Sequence, residues 1–461
     1  MKIHSRHEAA HSEPRSNWSQ IVAAIGLIFV LIICLIGLEG LFATLYHYRN
    51  LEQHVIGTIA VGLSAGVVYF VALYALERLP NARASRTALW IVLAGAILFR
   101  LTLLPLAPTL SDDPYRYHWD GQIQLAGQNP YIASPDALAM GSRVTPTGHL
   151  LPAHDMPNIY PPLAELLFRE AARYLPGAIA FKLPFFLADL LAVLLLAACL
   201  RRSPQREFRL AIYAWNPLVI VEFAGTGHSD ALAIAALLGA LLIIRSRAGV
   251  STILLAASAL LKVFPVMLFP VWLGRAGWPR SMRSWAAGTV SAALAVVCFW
   301  PFRAALPHIP ATLRYFVVHW QDNNASLFTL LRMFSGHAEV AAGIGEGVVV
   351  GLALWAAARR LEPERAAFLI IGAILLLSPN AYPWYFTWII PLLCFFPSPA
   401  WMLLTILQFL SYSVLIGYGI LGTWHWSPLM MWLEYVPFYG WMAWELFRAA
   451  RSPAIDQHVG V

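Results

Sequence analysis

Apolar runs of about 20 residues, the length that crosses a bilayer as one helix, recur along this chain from Ile21 to Phe447 with short polar connectors between them. They fall near residues 20–46, 55–76, 87–106, 178–200, 208–224, 230–244, 250–273, 285–302, 339–358, 366–379, 382–396, 399–421 and 428–447. The pattern predicts an all-α polytopic membrane protein. Arginines orient it, because short cytoplasmic loops carry the excess of basic residues. Arg78, Arg83 and Arg86 share one connector, Arg201, Arg202, Arg206 and Arg209 another, and Arg245 and Arg247 a third.

The run "VSTILLAASALLKVFPVMLFPVWL" (250–273) tests this orientation. Crossing the membrane once would put Arg275, Arg280, Arg283, Arg359, Arg360, Arg365, Arg448 and Arg451 outside, eight arginines on the wrong side against three (Arg303, Arg314, Arg332) on the right one. Folding back as two short helices about Lys262 and Pro265 removes the conflict, since proline ends a helix readily. Broken backbone at that depth must be covered by protein or a wet cavity. The expectation is therefore about 12 full transmembrane helices plus a short helical hairpin. A cytoplasmic tail (1–18), a membrane domain (19–448) with outer loops 107–177 and 303–338, and a second cytoplasmic tail (449–461) follow. In the first loop, "YPPLAELLFREAARYL" (160–175) is amphipathic at helical spacing and reads as an interfacial helix. Leu163, Leu166, Leu167, Ala171 and Tyr174 form its apolar face, with Glu165, Arg169 and Arg173 on another.

Composition agrees with a membrane protein: 59% of residues are hydrophobic and 12% charged, against about 25% charged in soluble domains. The net charge of +7 sits in the connectors, with no block resembling a nucleic-acid patch. Cys34, Cys199, Cys298 and Cys394 all lie inside apolar runs and read as core residues. No His, Cys and carboxylate group has the spacing of a metal site, although Asp112, Asp113 and Asp120 leave a divalent ion open.

The polar clusters gather at the outer ends of the runs. Asp112, Asp113, Arg116, His118 and Asp120 follow the third, His228 and Asp230 open the sixth, and His319, Asp322, Asn323 and Asn324 occupy the second long loop. Asn380, Tyr382, Trp384 and Tyr385 open the eleventh run, and Trp424, His425 and Trp426 lead into the last. A pore would spread ionisable groups through the midplane; an enzyme at the membrane surface collects them at one face. A carboxylate beside an arginine suits a general base, aromatic faces suit sugar rings or the membrane interface, and cations suit a departing lipid phosphate. Sugar transfer from a lipid phosphate, lipid-phosphate hydrolysis and transport of a lipid-linked sugar all fit this inventory. Transporters usually carry internal repeats, and none is evident.

The stretch "SDDPYRYHWDGQIQLAGQNPY" (111–131) resembles the first outer loop of membrane glycosyltransferases of the C-type fold, above all bacterial polyprenyl-phosphate-mannose-dependent mannosyltransferases. "YPPLAELLF" (160–168), "WNPLVIVEFAGTGHSDAL" (215–232), "LKVFPVMLFP" (261–270), "HWQDNNASLFTLL" (319–331) and "SPNAYPWYFTWIIPLL" (378–393) agree in the same order. The resemblance covers roughly residues 90–395. It implies an inverting transfer of a sugar, most commonly mannose, from a polyprenyl-phosphate donor to an acceptor hydroxyl, on the outer side of a bacterial inner membrane. The acceptor would be a glycan, glycolipid or protein; no cofactor is required and nucleic acid is not a partner. An acidic residue of the first outer loop would be the base. Asp113 fits the D-x-x-R-Y spacing and Asp112 the acidic pair of more distant members, so both remain candidates. Arg116, Tyr117, Trp119, Asp120, Asn129, Tyr131, Tyr160, His228, Asp230, Lys262, Arg314, His319, Asn323, Tyr382, Trp384 and Tyr385 are the substrate-binding candidates. Lys262, Arg116 or Arg314 would steady the phosphate. Each has a plainer reading: helix caps for the aspartates, an ion pair for Arg116, turn chemistry for Asp120, interfacial anchors for Tyr382 and Trp384.

Overall fold

The computed structural model describes residues 13–80, 82–138, 144–201, 204–320, 323–421, 424 and 426–451, the side chains of 13–17, 82–83, 178, 204–206, 317–319 and 419–421 excepted. Among these residues every regular element is a helix, apart from one isolated bridge, Val144 to Leu150. Seven helices are long and apolar enough to cross a membrane: Trp18–Tyr48, Val55–Glu77, Ala84–Leu103, Ile179–Leu200, Met282–Ala305, Ala338–Ala358 and Pro399–Tyr418. They leave Phe29, Ile36, Leu194, Val296, Val297 and Leu354 exposed, side chains that only lipid would cover.

Seven is fewer than the twelve expected: two of the remaining runs are broken, Asp230–Ile243 and Pro363–Leu377 are short, and Pro428–Arg451 carries Glu434, Glu445, Arg448 and Arg451. The apolar run 208–224 is four short pieces, Pro204–Leu210, Ala211–Ala214, Pro217–Ile220 and the wide turn Val221–Thr226. Pro217 opens a new helix, with Asn216 Oδ1 accepting from the Leu218 amide at 3.0 Å. Trp215, Leu218, Val219 and Phe223 are all fully buried. The run 382–396 is likewise broken into Pro383–Trp388 and Ile390–Leu393. Both segments are apolar because protein surrounds them. Helix Pro363–Leu377 has 15 residues, and helix Pro428–Arg451 carries Pro437 in its interior and a buried Glu434 held by Ser411 and Gln408.

The run 250–273 does fold back. Helix Ala248–Leu261 ends at Lys262, whose backbone is extended (φ −154°, ψ 140°), and Phe264–Leu268 and Phe269–Arg275 return. Trp272 Nε1 donates to Ser251 Oγ at 2.8 Å, so the end of the second arm lies beside the start of the first. At the base, Arg275 and Arg245 share Glu362 at 2.8 and 3.1 Å, and Arg245 also meets Glu364 at 2.5 Å. Lys262 stands at the opposite tip.

Elsewhere in the bundle, several buried charged groups have partners. Arg100 and Asp189 form a fully buried ion pair at 2.6 Å, with Tyr213 Oη donating to Asp189 at 2.8 Å and Arg100 also bonding the Ala214 carbonyl. Glu222 accepts from the Tyr412 hydroxyl. All four cysteines are buried and unpaired.

In the first long loop, helix Asp113–Leu125 packs on helix Pro162–Tyr174 so closely that a side chain at Gly121 would come 2.3 Å from the Phe168 carbonyl oxygen. The buried face of Pro162–Tyr174 is Pro162, Ala164, Glu165, Phe168 and Ala171, which corrects the face expected from periodicity. Glu165 turns inward because Gln124 Nε2 (2.7 Å) and the Asn158 amide both donate to it. Leu167 and Tyr174 are exposed instead.

Candidate active site

Helix Asp113–Leu125 begins with two carboxylates that diverge. Asp112 occupies the cap position, yet its side chain makes no cap bond; its Oδ1 accepts from Thr147 Oγ1 at 3.0 Å. Burial pushes the Asp112 carboxyl up to about 6, partly offset by the threonine bond. Asp113 points to another neighbourhood, where its Oδ2 accepts from Tyr160 Oη at 3.2 Å and Tyr117 Oη at 3.4 Å. Among the described residues no donor reaches its Oδ1.

Both aspartates line a cavity of about 920 Å³. The hairpin tip contributes Lys262, and Phe316 and Trp320 come from the second long loop. Lys262 Nζ bonds Asp230 Oδ2 at 3.1 Å and packs against the rings of Tyr160 and Tyr385 at 5.5 and 5.4 Å. Tyr160 thus joins the two charges, its ring on the lysine and its hydroxyl on Asp113. Asp230, fully buried, also accepts from Trp388 Nε1 at 2.7 Å.

An aromatic wall completes the cavity. Tyr382 stacks on Trp384 at 4.7 Å, Trp384 on the buried His228 at 4.2 Å, and Tyr385 on Trp388 at 4.6 Å. His228 Nδ1 lies 2.8 Å from Glu222. These rings are buried wall rather than interfacial anchors, and Trp320 Nε1 fixes Tyr382 through its hydroxyl at 3.0 Å. Asn323, also buried, accepts from Trp424 Nε1 at 2.9 Å and so holds the wall from behind.

Several candidates lie elsewhere or are already occupied. Arg116 borders the cavity, but its guanidinium is spent on Asp120 (3.1 Å) and on the carbonyls of Pro152 and Ala153 at 3.0 and 2.7 Å. It clamps the loop and leaves Lys262, among the described residues, as the lysine or arginine whose charge faces the cavity. Trp119 is buried against Arg116 and Ile123. Asn129 caps the Tyr131 amide, and Tyr131 ties Phe302 to the Tyr160 carbonyl. Arg314 is exposed on helix Ile309–His319, off the cavity wall. His319 ends that helix; its side chain, with Asp322 and His425, lies outside the described residues. Among the described residues no group of three or more His, Cys, Asp or Glu could hold a metal ion.

Residues 24–276, more than half of the chain, match the family described as alpha-(1->6)-mannopyranosyltransferase, N-terminal domain, the MptA/B family. The chain belongs to this family. It is a membrane mannosyltransferase, and the matched part carries Asp112, Asp113, Tyr160, Asp230 and Lys262. No curated protein matches the chain.

For a mannosyltransferase of this family the structure adds residues that the sequence did not single out. Glu52 and His149 line the same cavity and pair at 2.6 Å although 97 positions apart. Lys182, fully buried, donates to the carbonyls of Leu106, Ala224 and Gly225 at 2.6, 2.7 and 2.8 Å. It binds the approach to Asp112 to the approach to Asp230. A lone lysine inside an apolar run was the available signal.

Proposed function

We propose that this membrane mannosyltransferase takes mannose from a polyprenyl phosphate at the non-cytosolic face of the bacterial inner membrane and transfers it, with inversion, to an acceptor hydroxyl. The family's description supports an α-1,6 linkage in the product. Asp113 Oδ1 accepts the acceptor's proton as the oxygen bonds to the anomeric carbon. The bond from that carbon to the phosphate oxygen breaks on the far side, and the pair of electrons leaves with the phosphate. Lys262, with one N–H on Asp230, turns its remaining donors to the leaving group, where fixed charge stabilises the developing negative charge most effectively. Tyr160 and Tyr117 hold the base by Oδ2, which leaves the reactive oxygen free. The hairpin base and its arginines then lie on the cytosolic side.

The observation that carries this reading is the pairing, through Tyr160, of a half-satisfied carboxylate with the cavity's lysine. Asp113→Asn keeps shape and removes the basic oxygen, so transfer should fall by about 10²–10⁴-fold, the usual worth of a general base. Release of labelled mannose from polyprenyl-phosphate mannose to an acceptor, in detergent, measures it. Near wild-type turnover by the asparagine variant would discard Asp113 as the base.

A further inference from the structure

The cavity has a second polar end that the chemistry above does not use. Its walls are Glu52, Asp112, His149 and Tyr418. Glu52 comes from the turn between helices Trp18–Tyr48 and Val55–Glu77, a turn pinned to Thr109 by the Leu51 amide at 2.9 Å. His149 pairs with Glu52 and lies against the Tyr418 ring at 4.6 Å. From there ring contacts run through Trp424 (5.6 Å), Tyr382 (6.0 Å) and Tyr385 (5.7 Å) to Lys262. The carboxylate end and the lysine end are therefore the two termini of one aromatic wall, and Asp113 stands between them. Midway along it, Trp384 is 6% exposed and its indole N–H has no acceptor among the described residues.

An in-line displacement fixes what each end does. The leaving phosphate and the attacking hydroxyl lie on opposite sides of the anomeric carbon, so a phosphate at Lys262 sends the acceptor to the far end. We infer that the lobe formed by Glu52, Asp112, His149 and Tyr418 is the acceptor subsite, and that it takes the uncharged hexose end of a glycan. This rests on the assignment of Asp113 and Lys262 above. Carboxylate oxygens accept from sugar hydroxyls in strong, charge-assisted bonds. The Tyr418 and Trp424 rings offer faces to a pyranose, and the Trp384 indole can donate to a ring hydroxyl. The same lobe repels anions: Arg116 is engaged with Asp120, and His149 with Glu52.

Initial rates with the full-length protein in detergent, labelled polyprenyl-phosphate mannose, and either octyl α-mannopyranoside or its 4-phosphate test the assignment. Glu52→Gln removes one charged acceptor without changing shape and should raise the KM for octyl mannoside roughly tenfold, the effect of losing a bond to a charged group, with the donor KM within about twofold. Tyr418→Ala should raise the same constant and serves where Glu52→Gln fails to fold. The wild type should reject the phosphorylated acceptor. An unchanged acceptor KM in both variants, a parallel rise in donor KM, or equal use of the 4-phosphate overturns the subsite. A failure of the underlying reading shows separately, as an Asp113→Asn variant that retains turnover.

Discussion

Two adjacent carboxylates at one helix start serve different neighbourhoods because consecutive helical side chains point about 100° apart. Asp112 faces Thr147 and the Glu52–His149 pair, and Asp113 faces Tyr117 and Tyr160. This division has a pH consequence. With Asp112 raised to about 6, an acceptor that needs its charge should bind progressively less well as pH falls through that value. Stability moves the other way for the same group. A folded-state value above the ordinary 3.8 means the native state binds the proton more tightly, so Asp112's contribution to stability rises as pH falls across that interval. Glu165, raised by burial and by the nearby Asp120, acts in the same direction. Acceptor KM should therefore climb below pH about 6, and Asp112→Asn should flatten the curve; a profile that the substitution leaves unchanged removes Asp112 from acceptor binding. At this scale the sequence marked the doublet and Lys262, because charge in an apolar chain is conspicuous. It did not show that Arg116 is consumed by its own loop, since the carbonyls of Pro152 and Ala153 lie 36 and 37 positions away.

Elements are held in place by buried polar knots more than by propensity. Lys182 has three carbonyl partners from two segments, and each buried acceptor left unpaired costs about 1–3 kcal/mol. Lys182→Met should lower the thermal midpoint clearly and reduce kcat, because the segments it joins lead to Asp112 and Asp230; a variant as stable and active as the wild type would make the knot dispensable. Periodicity and run length located nearly every helix but misread what surrounds some of them. An apolar stretch such as 208–224 satisfies lipid and a protein interior equally well, so only Pro217 and the wide turn after it distinguish a buried, broken segment from a span. The helix Pro162–Tyr174 misleads in the opposite sense: Glu165 looks like a solvent-facing residue until Gln124 and Asn158 are seen to satisfy it.

For the whole molecule, the cavity and the arginine-bearing connectors occupy opposite ends of the hairpin, and topology can be measured directly. With the four buried native cysteines replaced, Asp136→Cys in the first long loop should react with a membrane-impermeant thiol reagent on intact cells, whereas Arg280→Cys should react only after permeabilisation. The reverse pattern would place the cavity on the cytosolic side. The count of eight arginines led to the fold-back of 250–273 that the structure shows; the orientation it also implies is what this labelling tests.

The short returning arm also sets a depth. That arm, Phe264–Arg275, is matched by an outgoing arm, Ala248–Leu261, whose fourteen residues rise about 21 Å at 1.5 Å each, whereas the hydrocarbon layer is about 30 Å thick. With its arginines at one boundary, the hairpin would leave Lys262 recessed by several ångströms beneath the other. Headgroups would then meet in a basin sunk into the bilayer, within reach of a tethered or flexible chain end rather than of a rigid, folded surface.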